Sequence, residues 1–374
     1  MERLHIAFFG PTNSGKSTLV NALAGQQVSL VSPIPGTTTD PVRKLIELPG
    51  LGPCVLIDTA GLGDASALGA ERERMTRAII DETDIAVVIE TDADSSSTVI
   101  PALIRDLRTA TVPAIIYRRE ESVESLLQRL VAAAPREERK YLTGSLVHEG
   151  SSVLLVMPQD SEAPKGRLIL PQVQVLRELL DRGCVPHCCT PDSLQAALAS
   201  LAGLPDLVIT DSQVFGLVDR ALPEECPLTS FSVLLAAAKG DVRTFVQGAR
   251  AIDTLKPGSR VLIAEACTHV PDTEDIGRVK IPALLRRKVG DLTVDIAAGN
   301  DFPEDLSPYG LIVHCGACVA NARLVRSRIR KALLAGVPIT NYGIALAALN
   351  GILARIAVPE RSDAGDMGDP SPGH

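Results

Sequence analysis

A chain of 374 residues exceeds what one ordinary hydrophobic core requires, so two or three domains are expected. Apolar residues make up 45% and charged residues 22%, a balance typical of soluble globular proteins. The net charge of -8 argues against a protein that coats nucleic acid, because neutralising phosphates requires a basic face.

The first residues run directly into a strand pattern, so we expect no signal peptide and a cytoplasmic location. The most apolar late stretch, residues 341–358, carries two Asn and one Arg, which favours an amphipathic helix over a membrane span. In this setting the eight cysteines indicate thiols or metal ligands rather than a disulfide framework.

Strand and helix patterns alternate from the start of the chain. A strand is predicted over 4–9, a helix over 16–24, and further strands over 84–90 and 112–117. Strands alternating with helices indicate a parallel α/β sheet. A second α/β pattern begins at residue 153 and a third near 227, and no internal repeat is evident.

The segment "GPTNSGKSTL", residues 10–19, fits the phosphate-binding loop pattern G-x-x-x-x-G-K-[ST] between a predicted strand and helix. Backbone N–H groups and the helix N-terminus would hold the phosphates, Lys16 would reach the β and γ phosphates, and Ser17 would bind Mg²⁺. The predicted nucleotide-binding residues of this loop are Gly10, Asn13, Ser14, Gly15, Lys16, Ser17 and Thr18.

Two further segments resemble the switches of translation-factor-like GTPases. "PGTTTD", 35–40, resembles the first switch, which implies Thr38 as a metal and γ-phosphate ligand. "DTAG", 58–61, resembles the second, which implies Asp58 on the Mg²⁺ side and the Gly61 amide facing the γ phosphate. Asn13 resembles the residue with which some of these enzymes hold K⁺.

The base-reading motif N-K-x-D of such GTPases is replaced here by Tyr117-Arg118-Arg119-Glu120. Glu120 keeps the charge of the Asp that accepts two hydrogen bonds from guanine, whereas Tyr117 cannot act as the Asn does. GTP is therefore the expected nucleotide, with guanine specificity and normal turnover open.

Cysteine and histidine converge in two distant segments. Cys267-x-His269 precedes His314-Cys315-x-x-Cys318 by 44 residues, which supplies three thiolates and two imidazoles. Three Cys suit a [4Fe–4S] cluster whose fourth iron has a weaker ligand, His314 or Glu274. Cys₃His is also a structural zinc set, so zinc stays open at this point. The cysteines of "GCVPHCC", 183–189, are interpreted as core thiols.

The two sites together resemble one family, the [FeFe]-hydrogenase maturation GTPases of the HydF kind. The resemblance extends over most of residues 3–358 and includes "PLTSFSVLLAAAKGD" (227–241), "VLIAEACTH" (261–269) and "GLIVHCGAC" (310–318). It implies an α/β chain of three domains: a P-loop GTPase-like domain (1–135), a linker and dimerisation domain (136–226) and a cluster-binding domain (227–358), followed by a disordered tail (359–374).

The resemblance also implies the activity and the partners. Cys267, Cys315 and Cys318 would ligate a [4Fe–4S] cluster, with His314 or Glu274 exchangeable and His269 beside it. The homodimer would accept a diiron precursor from radical-SAM maturases and deliver it to the apo-hydrogenase, with slow GTP hydrolysis as a signal. No nucleic acid or membrane partner is expected.

Two alternative functions are also compatible with the sequence. One is an RNA- or ribosome-associated GTPase of the Era-like kind with a zinc-stabilised accessory domain. It would need a basic surface, which the net charge of -8 disfavours. The other is a binding and assembly protein whose nucleotide domain is a relic.

Overall fold

The structure, a computed structural model, describes residues 3–25, 41–62, 69–90, 98–135, 141–159, 168–266, 275–299, 301–318 and 320–359. It divides into two units, residues 1–138 with 320–328, and residues 139–319 with 329–374. Residues 360–374 of the predicted tail lie outside the description. None of the helices in the described ranges combines the length and the apolar character that crossing a membrane requires.

A five-stranded sheet forms the centre of the first unit. Its strands are β1 (Leu4–Phe9), β2 (Val42–Leu48), β3 (Gly52–Asp58), β4 (Ile85–Glu90) and β5 (Ala114–Arg118). Their order is β2-β3-β1-β4-β5, and all neighbours are parallel except β2 and β3. The helices are α1 (Lys16–Ala24), α2 (Gly69–Glu82), α3 (Val99–Thr109) and α4 (Val123–Ala133).

The central strand β1 is buried on both faces. Ile6 and Phe8 pack into one apolar core and Ala7 and Phe9 into another, all with no exposed surface. Because alternate residues of a strand point to opposite faces, a strand covered on both sides needs a continuous apolar run. The parallel strands end at one edge of the sheet, where ligands bind in open α/β folds.

Residues 320–328 belong to this first unit. The Asn321 amide donates to the Glu82 carbonyl oxygen at 2.7 Å, at the end of α2. Ser327 Oγ donates to Asp81 Oδ1 at 2.7 Å, and Arg323 Nη2 donates to the Ala110 carbonyl at 2.6 Å. These bonds attach the segment to α2, the helix that follows the predicted second switch, and to the end of α3.

The second unit contains two four-stranded parallel sheets. The first has β6 (Ser152–Val156), β7 (Val185–Cys189), β8 (Leu207–Thr210) and β9 (Leu228–Ser230) in the order β7-β6-β8-β9. The second has β10 (Arg260–Glu265), β11 (Thr293–Ala298), β12 (Leu311–His314) and β13 (Ile339–Asn341) in the order β11-β10-β12-β13. The helices of this unit are α5 (Leu170–Asp181), α6 (Leu194–Ser200), α7 (Phe215–Ala221), α8 (Phe231–Lys239), α9 (Val242–Ala249), α10 (Ile281–Val289) and α12 (Tyr342–Leu349). Residues 329–334 of α11 (Ala322–Leu334) also belong to it, and residues 322–328 of that helix belong to the first unit.

The two sheets of the second unit repeat one topology. Within each, the first strand lies between the second and third, and the fourth follows the third. The last strand and helix of each sheet are similar in sequence, "PLTSFSVLLAAAKG" (227–240) and "PITNYGIALAALNG" (338–351). Ser230 and Asn341 cap these helices by accepting from Val233 N at 3.2 Å and from Ile344 N at 2.9 Å. The expectation of no internal repeat is therefore wrong.

The prediction that the 183–189 cysteines are core thiols is only partly right. Cys184 is buried, but Cys188 is exposed and Cys189 half-buried. Cys188 and Cys189 lie on β7, an edge strand of its sheet, and Cys184 directly precedes it. An edge strand of this kind does not bury every side chain, and the sequence does not show which strand lies at an edge.

Candidate functional sites

The phosphate loop follows β1 directly and depends on unusual backbone conformations. Asn13 and Gly15 have φ of 63° and 95°, in the left-handed region that Gly and Asn tolerate best. A Cβ on Gly10 would lie 2.7 Å from Ser14 Oγ and 3.0 Å from the Ile89 carbonyl oxygen, so only glycine fits. Ser14 is 2% exposed, and its Oγ has no hydrogen-bond partner among the described residues.

The Lys16 side chain is folded onto this loop. Its Nζ donates to the carbonyl oxygens of Gly10 at 3.0 Å and Pro11 at 2.7 Å. Burial lowers the pKa of Lys16 to about 8, and the charge of Asp58 opposes that shift. At neutral pH the ammonium group still predominates, and bound phosphates would favour it further.

The start of the predicted second switch lies against the phosphate loop. Asp58 ends β3 and is 1% exposed. Leu62 N donates to the Gly10 carbonyl at 3.1 Å, and any Cβ on Gly61 would overlap Thr12. The structure thus brings the predicted loop residues together with Asp58 and Gly61, whereas Thr38 lies outside the described residues.

The altered base-reading segment follows β5. Tyr117 is 7% exposed and packs in an apolar core, and its hydroxyl donates to the Glu121 carbonyl at 2.8 Å. Arg119 Nε donates to the Ser14 carbonyl at 3.2 Å and Nη2 to the Asn13 carbonyl at 2.8 Å. Glu120 is exposed. The contact of Arg119 with the phosphate loop could not be predicted from the sequence, because a hydrogen bond between residues 105 positions apart leaves no local pattern.

The cysteine loop of the second unit follows β12. Cys315 N donates to the Ala264 carbonyl at 2.9 Å, which joins the end of β12 to β10. Cys315 Sγ accepts from Ala266 N at 3.1 Å and from Ala317 N at 3.4 Å. Two N–H groups aimed at one sulfur favour a thiolate over a thiol, and a thiolate is the form that binds metal.

A lysine from α8 supports this loop from outside the motif. Ala317 has φ of 52°, a left-handed conformation that is rare for a residue with a Cβ. Lys239 Nζ donates to the carbonyl oxygens of Ala317 at 2.7 Å and Cys318 at 3.2 Å. The shape of the cysteine loop therefore depends on α8, the helix that follows the last strand of the other sheet of this unit.

The remaining predicted metal ligands are only partly described. His314 is fully buried, with Nδ1 2.7 Å from the Cys315 carbonyl oxygen. Cys267, His269 and Glu274 lie outside the described residues. Within the part of the chain that is described, no three His, Cys, Asp or Glu form a metal-binding group. However, the Ala266 contact places the residue before Cys267 against Cys315.

An ion pair with a buried carboxylate lies at the end of β10, next to Ala266. Glu265, at the end of β10, is 1% exposed and accepts from Arg278 Nε at 3.2 Å and Nη2 at 2.7 Å. Arg278 lies in a π-helical turn, Ile276–Lys280, whose N-cap is Asp275. Burial raises the pKa of Tyr342 well above its usual range, and the negative charge of Cys315 adds to the effect. The Tyr342 hydroxyl is therefore kept protonated.

Comparison with known protein families gives three matches. Residues 142–240 match the hydrogen maturase F dimerization domain, and residues 243–359 match the hydrogen maturase F tetramerization domain. The chain belongs to the HydF family. Residues 5–119 match the 50S ribosome-binding GTPase family, so the first unit of this HydF chain is a GTPase domain. The dimerization and tetramerization matches support self-association.

Curated relatives of this HydF chain include tRNA modification GTPases MnmE. That of Methylobacterium sp. (strain 4-46) is 48% identical over 92 residues, 23% of this chain and 21% of the relative. That of Acidiphilium cryptum (strain JF-5) is 33% identical over 217 residues, 54% of this chain and 46% of the relative. The chain thus spans less than half the length of these relatives.

Among solved structures, Era of Aquifex aeolicus bound to GDP.AlF4- is 16% identical, with a TM-score of 0.28. The alignment covers 83% of this chain and 99% of that chain. Toc33 of Arabidopsis thaliana with GDP and Mg²⁺ is also 16% identical, with a TM-score of 0.27 over 37% of this chain and 86% of that one.

Proposed function

We propose that this chain is a scaffold and carrier in [FeFe]-hydrogenase maturation. It binds a [4Fe–4S] cluster and a diiron precursor and delivers the precursor to the apo-hydrogenase, and GTP hydrolysis acts as a regulatory signal. The observation that carries the proposal is the Cys315 sulfur, which accepts two backbone N–H groups in a loop of a HydF domain.

The residues present suit such a cluster. Cys315 and Cys318 are separated by a turn that includes Gly316, where an added Cβ would lie 3.8 Å from Cys318 Sγ. Cys267 would supply the third thiolate, and His314 or Glu274 the exchangeable ligand. When bound, the cluster offers an iron that an incoming diiron unit can approach. Around it, Lys239 holds the loop and the Glu265–Arg278 pair fixes the strand end two residues before Cys267.

In this proposal, GTP binding and hydrolysis control when partners dock, and the GTPase domain takes no part in the metal chemistry. Lys16 and Ser17 would hold the phosphates and Mg²⁺, and Asp58 would hold Mg²⁺ from the other side. Asn13 is the candidate K⁺ residue. Loss of the γ phosphate would release the switch segments, and that change can bias how partners dock. The partners we propose are a second copy of the chain, the radical-SAM maturases and the apo-hydrogenase, in the cytoplasm.

Anaerobic reconstitution with iron and sulfide tests this function. The wild-type chain should bind about four iron atoms per protomer with an EPR signal on reduction, and Cys315→Ser should lose that signal. Cys188→Ser is the matched control, because Cys188 is exposed on an edge strand far along the chain from the motif. Unchanged iron content in Cys315→Ser would refute the carrier function.

A further inference from the structure

We propose that the Tyr342 hydroxyl donates a hydrogen bond to the sulfur atoms of the cluster at Cys315 and so tunes the reduction potential of that cluster. The inference rests on the proposed cluster-binding function. It adds a positioning residue that lies outside both segments of the Cys/His motif.

The sheet of the tetramerization match places Tyr342 beside Cys315. β12 and β13 are neighbouring parallel strands, and His314 pairs with Asn341 in their register. Cys315 and Tyr342 are the next residues along the two strands, so both follow strand ends at the same edge of the sheet. Tyr342 is also the first residue of α12, whose N-cap is Asn341. A strand end and a capped helix therefore fix the position of the tyrosine.

A glycine of the π-helical turn makes room for the Tyr342 hydroxyl. A Cβ on Gly277 would overlap the hydroxyl oxygen and lie 2.6 Å from Cζ of the ring. The hydroxyl oxygen is buried and has no hydrogen-bond partner within the described ranges. Since a buried hydroxyl without a partner is costly, we expect it to gain one when the site is occupied.

The charges around the hydroxyl favour the sulfur side as its acceptor. Of these charges, that of Cys315 acts on Tyr342 most strongly, ahead of that of Glu265. The two oxygens of Glu265 accept from Arg278 Nε and Nη2 at 3.2 and 2.7 Å, so that carboxylate is already engaged. A tyrosine hydroxyl carries its proton at neutral pH and can donate it to a sulfur atom.

A side-chain donor at this position has a definite chemical effect. Hydrogen bonds to the sulfur atoms of an iron–sulfur cluster help to set its reduction potential, because they draw electron density from the metal. The Cys315 sulfur already accepts from Ala266 N and Ala317 N at 3.1 and 3.4 Å. Those two donors belong to the backbone, whereas the Tyr342 donor can be removed by a substitution.

A redox titration of the reconstituted full-length protein, followed by EPR, tests the inference. Tyr342→Phe removes the hydroxyl and keeps the ring. The variant should bind as much iron as the wild type, and its midpoint potential should be more negative. At a fixed potential, the ratio of reduced to oxidised cluster should fall about tenfold, a shift of about 59 mV for a one-electron couple.

Tyr309→Phe is the matched control. Tyr309 precedes β12, so it lies at the end of that strand opposite to Cys315, and its hydroxyl interacts with Asp295. The control variant also loses one hydroxyl from the same domain, and its potential should equal that of the wild type.

Several results would overturn the inference. Equal potentials in Tyr342→Phe and the wild type, at equal iron content, would show that the hydroxyl does not act on the cluster. Loss of iron or of the folded state in Tyr342→Phe would make Tyr342 a structural support instead. An equal shift in Tyr309→Phe would assign the effect to the domain as a whole. Failure of the wild type to bind iron would remove the proposed carrier function itself.

Discussion

At the scale of single residues, Lys239 stabilises the cysteine loop. Its amine bonds two carbonyl oxygens of a turn in which Ala317 is left-handed. That conformation costs about 1–2 kcal/mol for a residue with a Cβ, so the turn needs compensating bonds. Lys239 ends α8, in the half of the unit that carries the dimerization match. The cysteine loop is therefore supported by a domain that supplies none of its sulfur atoms.

Replacing Lys239 by Met should loosen the cluster. The variant keeps the length and apolar stem of the side chain but lacks the donor. Transfer of iron from the reconstituted protein to a chelator should become about tenfold faster, because the ammonium group no longer donates to the two loop carbonyl oxygens. Lys256→Met, which changes an exposed lysine of the same unit, should leave the rate as it is. Equal rates in both variants would show that the loop holds its shape without Lys239.

The phosphate loop could be predicted from sequence because all its determinants are local. Gly10, Gly15, Lys16 and Ser17 lie within eight residues, and their spacing alone encodes the turn. The contact of Arg119 with this loop could not be predicted, since its partners Asn13 and Ser14 are about a hundred residues away. Likewise, the Glu265–Arg278 pair is formed by a π-helical turn that has no sequence signature.

Among the elements, strand and helix identity was more predictable than strand position. The strand 4–9 and the helix 16–24 agree with the structure, because continuous apolar runs and the loop–helix junction mark them clearly. The predicted strand 112–117 is observed over Ala114–Arg118. The exposure of Cys188 was missed, because nothing in a single strand shows that it will lie at an edge. The repeat of the two sheets was missed because most equivalent positions in the two repeats differ in residue type.

The packing of α9 on β13 depends on a glycine. A Cβ on Gly248 would overlap the Ile339 backbone carbonyl, so the helix approaches the strand at a distance that only glycine allows. Gly248→Ala should therefore lower the free energy of unfolding by about 3 kcal/mol, because the obstacle is backbone and cannot rotate away.

Urea unfolding followed by circular dichroism would measure this loss. Gly203→Ala is the matched control, since its added Cβ would meet nothing within 4 Å, and it should stay within about 0.5 kcal/mol of the wild type. Equal stability of the two variants would mean that α9 can shift away from β13 at little cost.

At the scale of the whole molecule, two exposed apolar surfaces lie in the two self-association domains. In the dimerization match, Leu180 of α5 and Val185 of the edge strand β7 are 58% and 51% exposed. In the tetramerization match, Leu333 and Leu334 at the end of α11 are 59% and 83% exposed. An unpaired edge and exposed leucines are features that proteins usually cover. We infer that each surface is used in its own step of assembly.

Charged substitutions at the two surfaces should separate those steps. The Leu180→Asp, Val185→Asp double variant should sediment as a monomer, because buried unpaired carboxylates oppose dimer formation. The Leu333→Asp, Leu334→Asp variant should form dimers but no tetramers. Each variant is the control for the other, since both add two carboxylates to an exposed surface. Sedimentation velocity distinguishes the species, and unchanged circular dichroism would confirm folding. If the α11 variant were monomeric, or the α5–β7 variant still dimeric, the assignment of surfaces to steps would be wrong.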